Sequence, residues 1–429
     1  MCQNSNSHLL QLEHYKSQAR CLCYFLLFFC LLSSAHAAPA KITFLLGDTY
    51  GKILVDATRE IKDTYPQLRD AVDFHILTSR AIMDKGKAAD LSSIASSKTI
   101  FILSIMDRQS FERVKPYLRG KCYAVGGAFT KEHENLGLIN DNLICKYYQE
   151  NGVENIKNMV LMVMNRDLGL NVSYKEPLPV PDFGLYLKKE KRTVENFEDF
   201  LTGYVPRANC PWIGIVFYKS NLDSGNTKHL DFIIDRLESK GFNVLPVYGY
   251  PSEKPIEMFL FDEKGASRVS AVIGMSLKVG MNPQAVIPVL SRLNVPVINA
   301  ITLYTQSREK WEKSPVGLDI LERTWQVACA ELGGVIQPTV IASKENVQDA
   351  ETGIEYVEAR PIPERVNRLV ERVKAWINLQ EKPNKDKRVA VIYYNYPPGK
   401  QNIGASYLNV LPESLWEILN RLKAEGYDT

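Results

Sequence analysis

Two stretches of the 429-residue chain gather side chains able to bind a polar ligand. The first runs from Arg388 to Val410, RVAVIYYNYPPGKQNIGASYLNV, and carries Asn395, Tyr396, Gly399, Lys400, Asn402, Gly404, Tyr407 and Asn409. Its amides and phenols can donate and accept hydrogen bonds, and Lys400 can face an anionic group. Pro397, Pro398, Gly399 and Gly404 set turns that would hold these groups in a loop. The second is Ser224-Gly225-Asn226, a small-residue turn before a helix, whose backbone amides can receive a carboxylate. Each stretch equally fits a plain connection, two turns in the first case and a helix N-cap by Asn226 or Thr227 in the second.

Strands must position both loops. Val389 to Tyr394 is almost wholly apolar and β-favouring, the pattern of a parallel strand covered on both faces, and an amphipathic helix is expected from about Pro412 to Ala424. Trp212 to Tyr218 reads as a strand, followed by KSNLDSGNT and a helix from about Lys228 to Lys240. Ligands of open α/β sheets bind at the carboxyl ends of strands, where both loops fall.

The rest of the chain repeats this alternation. Strands are expected at 41–47, 72–77, 99–106, 122–128, 243–249, 270–274 and 295–300, with helices at 53–65, 88–96, 110–118, 151–170, 283–293 and 363–379. Such spacing predicts successive doubly wound parallel-sheet domains of the Rossmann or flavodoxin-like kind, class α/β. The expected division is a leader at 1–37, a first domain at 38–175, a Pro-rich connection at 176–208 and a second domain at 209–380. Residues 381–429 read as a linker and the start of an incomplete third domain.

Several tempting signals are weak. Gly47 to Ile53 imitates a phosphate loop, but its spacing is one residue short and Ile53 stands where a hydroxyl would hold magnesium. Met159, Met162 and Met164 read as core filler. The six histidines are widely dispersed, and Cys122, Cys145, Cys210 and Cys329 form no CxxC pair, so no metal site is visible. Lysine and arginine number 52 against 49 acidic residues, a net charge of +3 that argues against a nucleic-acid surface.

The stretch YNYPPGKQNIGASYLNV resembles a segment of the large, tetrapyrrole-binding subunit of aerobic cobaltochelatase (CobN) and its magnesium chelatase relatives, departing at Ser406 where Ala is expected. FYKSNLDSGNTKHLD and NVLPVYG are similar to the same family, as is 307–338 with Trp311, Ser314, Gly317 and Pro338, apart from Cys329-Ala330 where Leu-Pro is expected. The resemblance implies a tetrapyrrole and a divalent metal ion as substrates, with ATP-Mg held by partner ATPase subunits and no cofactor bound by this chain. It also implies that these residues are the N-terminal part of a much longer subunit, whose catalytic groups lie elsewhere. An exported relative that binds haem or another tetrapyrrole, or removes its metal, is an alternative. A periplasmic solute-binding protein of two α/β lobes is another.

Export is suggested by the leader: Lys16 and Arg20 precede the apolar run Cys21 to Leu32, and Ala35-His36-Ala37 offers a cleavage site. That run is too short to span about 30 Å of hydrocarbon, so a stable membrane anchor is not expected. Residues 1–40 fused to a periplasm-dependent reporter should give signal, with the mature chain beginning near Ala38. A silent reporter, or an intact Met1 by mass spectrometry, would contradict the exported reading.

Overall fold

The computed structural model describes residues 38–47, 50–83, 91–103, 108–126, 131–278, 283–351, 354–392, 394, 396, 398–399 and 411–429. The proposed leader therefore lies outside the described residues. The expected α/β alternation is borne out as two sheets, each flanked by helices on both faces.

The first sheet contains β1 (Ala40–Leu46), β2 (Val72–Thr78), β3 (Thr99–Leu103) and β4 (Lys121–Val125), all parallel, in the order β2-β1-β3-β4. Its strands are continuous apolar runs because both faces are covered. Period-2 alternation sends Ile42, Phe44 and Leu46 to one side and Leu45 to the other. On the first side, α1 (Gly51–Thr64) and α3 (Gly152–Leu168) pack their buried stripes, while α2 (Asn142–Glu150) adds Ile144 and Tyr147. Met159, Met162 and Met164 are buried in this core, in keeping with a filling role.

The second sheet is larger and mixed. It contains β5 (Phe183–Leu187), β6 (Arg192–Val194), β7 (Trp212–Phe217), β8 (Asn243–Gly249), β9 (Ala271–Gly274), β10 (Val297–Leu303), β11 (Ile336–Gln348) and β12 (Glu355–Pro361). The order is β12-β11-β10-β9-β7-β8-β5-β6, with β7 to β11 parallel and antiparallel strands at both margins. Helices α4 (Lys228–Ser239) and α6 (Pro363–Glu381) cover one face through Leu230, Ile233, Leu237, Val366, Leu369 and Val373. Helix α5 (Pro283–Leu293) covers the other through Val286, Val289 and Leu290. Each such fully buried aliphatic side chain contributes about 1.5–3 kcal/mol by leaving water.

Three elements differ from expectation. The 176–208 stretch, read as a connection, supplies β5 and β6, and Asn155 fixes the segment entering β5 through two 2.8 Å bonds to Leu178. The hairpin of β11 and β12 was not expected at all. Its charged side chains, such as Lys344, Glu345, Glu355 and Glu358, obscure the strand pattern in sequence. Conversely, Val389 to Tyr394 is no buried parallel strand: Val389, Val391, Ile392 and Tyr394 are exposed, and the described residues there join no sheet. An apolar run becomes a strand only where neighbouring strands receive its N–H and C=O groups, and none lies beside it among the described residues. Helix α7 (Leu411–Ala424) follows it as expected, with Trp416, Ile418 and Leu419 exposed.

The unexpected hairpin joins the two lobes. Strand β11 follows β10 in parallel as far as the Leu303–Ser343 pair, then continues to Gln348 with β12 alone beside it. This projecting part lays Ile354 and Tyr356 into the first lobe's core. Arg59 of α1 reaches Asp349 at 2.7 Å, and Lys62 reaches Glu351 at 3.2 Å. Gly51 permits the approach, since a Cβ there would stand 2.9 Å from Tyr356 Cβ. A Gly51→Val variant should separate hairpin from helix and lose about 1–3 kcal/mol of stability. Urea unfolding together with small-angle scattering checks this, and unchanged stability and dimensions would refute it.

Candidate functional site

The lobes enclose a cleft of about 820 Å³, within the 300–1,000 Å³ typical of small-molecule sites. One wall is α1, whose Lys52, Asp56, Arg59, Glu60 and Asp63 recur at helical spacing on one face, together with the start of α3. The opposite wall is built from the second sheet: Tyr186 on β5, the β5–β6 turn, the loop after β7, and Tyr356 and Glu358 on β12. Leu178, Pro179 and Val180 connect the two.

The loop after β7 brings Gly225 into this cleft. A short helix, Lys219–Asp223, runs into the turn, and Gly225 has φ +66°, the left-handed region that glycine adopts without a Cβ penalty. A Cβ on Gly225 would lie 3.4 Å from Asp56 Oδ2 and 3.7 Å from Lys52 Nζ, so the second lobe meets α1 here. The Lys52 ammonium is buried against the Asp56 carboxylate. Thus the phosphate-loop imitation ends in an ion pair on α1 that faces the other lobe.

The backbone amides of this turn are engaged within it. Ser224 N–H donates to Ser220 O at 3.1 Å, Gly225 N–H to Leu222 O at 3.0 Å, and Asn226 N–H to Asn221 O at 2.8 Å. They do not form the carboxylate cradle expected from sequence. Nor does Asn226 or Thr227 cap α4 by a side-chain bond. Asn226 Oδ1 instead accepts from Ala359 N–H at 3.1 Å, tying the turn to β12, and its Nδ2 donates to Ser224 Oγ at 3.2 Å. Gly225 lines the cleft, whereas Ser224 and Asn226 shape it from behind.

The described residues of the 388–410 stretch do not line the cleft. Tyr396 is exposed and Gly399 half-buried, and neither lines the cleft. Asn395, Lys400, Asn402, Gly404, Tyr407 and Asn409 lie outside the described residues.

Eight carboxylates line the cleft against five lysine and arginine side chains. Glu358 is buried, which works against its charge, yet Lys228 at 2.6 Å and Arg360 at 3.1 Å hold it below the usual carboxylate range. Asp223 behaves oppositely: burial, helped by Asp182 and opposed by Lys219, raises it to about 6. Asp231 is also raised by burial, against the Thr227 hydroxyl that donates to its Oδ2 at 3.0 Å. Two carboxyls whose charge burial disfavours therefore sit within one loop and the helix it leads into, Asp223 and Asp231. Among the described residues no cluster of three or more His, Cys, Asp or Glu is arranged to hold a metal ion, and no helix is long and apolar enough to cross a membrane. Sequence reading missed Asp56, Tyr186, Asp223, Asp231 and Glu358. Only Asp223 and Asp231 carried a signal, their closeness to the turn.

Comparison with known proteins accords with this architecture. The profile of the CobN/Magnesium Chelatase family matches residues 145–429. An uncharacterised protein of Methanocaldococcus jannaschii is 32% identical over 301 residues, covering 67% of this chain and 24% of that protein. Magnesium-chelatase subunit ChlH of Oryza sativa is 29% identical over 310 residues, covering 67% and 22%. Aerobic cobaltochelatase subunit CobN of Pseudomonas aeruginosa is 26% identical over 414 residues, covering 92% and 32%. The solved catalytic subunit of cobaltochelatase from Mycobacterium tuberculosis superposes with a TM-score of 0.64 at 18% identity, over 90% of this chain and 31% of that one. The chain thus spans less than a third of the length of each of these four proteins.

The raised Asp223 has a measurable consequence. Its folded value of about 6 exceeds the model-peptide 3.8, so the folded state binds the extra proton and its stability falls as pH rises from about 4 to 6. Asp223→Asn should remove this loss, gaining at most about 2–3 kcal/mol at pH 7 and nothing at pH 3.5. Equal stability of the two proteins at both pH values, by chemical denaturation, would refute the assignment.

Proposed function

Since the chain belongs to the CobN/magnesium chelatase family, we propose that it forms part of a chelatase large subunit and holds a tetrapyrrole between its two lobes during metal insertion. In this reading the tetrapyrrole and a divalent ion are substrates, and separate partner subunits hydrolyse ATP-Mg. The interlobe cleft carries the reading. Its volume suits a small organic ligand, and Tyr186 and Tyr356 line it among charged side chains.

Insertion exchanges two pyrrole N–H protons for one divalent ion, so the site needs groups that accept protons and a field that favours cations. A carboxylate with a value near 6 is matched to proton transfer close to neutral pH, which suits Asp223, with Asp231 as a second acceptor. The excess of carboxylates in the lining draws divalent cations toward the cleft. Lys228, held at Glu358, is positioned to turn toward a ligand carboxylate at the rim.

Titration of the full chain with deuteroporphyrin IX, followed by porphyrin absorbance and tryptophan fluorescence, should give saturable binding at one site. Gly225→Val would place a branched side chain against Asp56 and Lys52, and should weaken binding at least about tenfold. Undiminished affinity in a folded Gly225→Val protein would put the tetrapyrrole outside the cleft.

A further inference from the structure

The second sheet has a topological switch point between β7 and β9, whose β9 side does not line the interlobe cleft. From β7 the chain crosses to β8 on one side and then to β9 on the other, so the loops after β7 and β9 diverge and leave a crevice between them. The loop after β9, Met275 to Lys278, lies across this crevice. Met275 N–H and Ser276 N–H both donate to Val216 O at the end of β7, at 2.9 and 3.1 Å. In the other direction the Lys278 side chain reaches over the end of β10, with Nζ donating to Asn299 Oδ1 at 2.5 Å and to Ala300 O at 3.3 Å.

Lys278 is only 7% exposed and has no ion pair among the described residues. Burial alone brings its ammonium down to about 7. Asn299 is oriented to solvate it: Asn299 Nδ2 donates to Gln326 O at 2.6 Å, which leaves Oδ1 facing the lysine. Gln326, on a π-helical turn at Arg323–Ala328, is fixed in turn by Thr302 O at 2.8 Å. Such turns recur at functional sites. Two positions before the lysine, the Ser276 hydroxyl is buried and has no hydrogen-bond partner among the described residues. A lysine serving only to brace the loop would be offset by a carboxylate; here two amide oxygens leave a third ammonium donor and a serine hydroxyl unused.

We propose that Ser276 and Lys278 form an oxyanion-binding site at the switch point of the second sheet, accepting a carboxylate or phosphate group of a small ligand. The anion supplies an acceptor for the Ser276 hydroxyl and for the remaining Lys278 N–H, and a countercharge for the ammonium. Because the site is separate from the interlobe cleft, it stands whether or not the cleft holds a tetrapyrrole.

The test compares thermal unfolding of the full chain and of Lys278→Met and Ser276→Ala variants at pH 7, in sodium chloride, phosphate and succinate of equal ionic strength. In chloride, Lys278→Met should unfold at a higher temperature than the parent, because an uncompensated buried cation is removed. Phosphate or succinate should raise the parent's midpoint by about 2 °C or more over chloride, raise Ser276→Ala less, and leave Lys278→Met unmoved. Which anion acts tells phosphate from carboxylate ligands. A lower midpoint for Lys278→Met in chloride would make the lysine a structural brace and overturn the proposal. A parent that gains nothing from either anion, or gains no more than Lys278→Met does, would overturn it as well.

Discussion

The seating of β12 on the N-terminal turn of α1 is the contact on which the remaining geometry depends. Tyr356 fits there only because Gly51 has no side chain to meet it. Two and three residues further along the same strand, Glu358 takes the Lys228 ammonium and Ala359 N–H donates to Asn226. One extended segment thus spans from the first lobe's core to the turn after β7. Strand geometry makes this a rigid link, because Tyr356 and Glu358, two positions apart, share one face of the strand at a fixed spacing. The cleft between the lobes takes its width from that link.

Charge is distributed unevenly along the carboxyl edge of the second sheet. On the side facing α1, carboxylates exceed cations, and Asp223 and Asp231 resist ionisation because they are half removed from water. Across the switch point, the buried charge is the Lys278 ammonium, solvated among the described residues by two amide oxygens. The same cause, burial, raises the acids and lowers the base, so Asp223 and Lys278 shift toward neutral pH from opposite directions. Stability is given up at both places. Such concessions are where stability and function conventionally trade against each other.

Much of the fold was legible in the sequence. The runs KITFLL, TIFIL, WIGIVF and NVLPVYG announce themselves as buried strands by composition alone, and Pro283 and Pro363 mark helix starts that coincide with α5 and α6. The turn at Ser224 to Asn226 was legible as special, since a glycine between polar residues after a strand signals a backbone that few residues adopt. What that turn does was left open between a carboxylate site and a helix N-cap. Short-range carbonyls three to five residues back claim its amides, a matter of local geometry that composition does not reveal.

By itself, then, the sequence determined the class, the positions along the chain of most parallel strands and the family motifs, because buried strands and amphipathic helices follow from periodicities of two and 3.6 that any short window displays. Only the tertiary structure decided that residues 183–194 are sheet and not connection, that β11 and β12 form the bridge between lobes, and that Val389 to Tyr394 lacks a sheet among the described residues. It alone brought Lys52 and Asp56 to Gly225, more than 160 positions apart, and left Lys278 without a countercharge among the described residues. Pairing partners, countercharges and burial depend on which distant segments arrive nearby, and no local pattern carries that information.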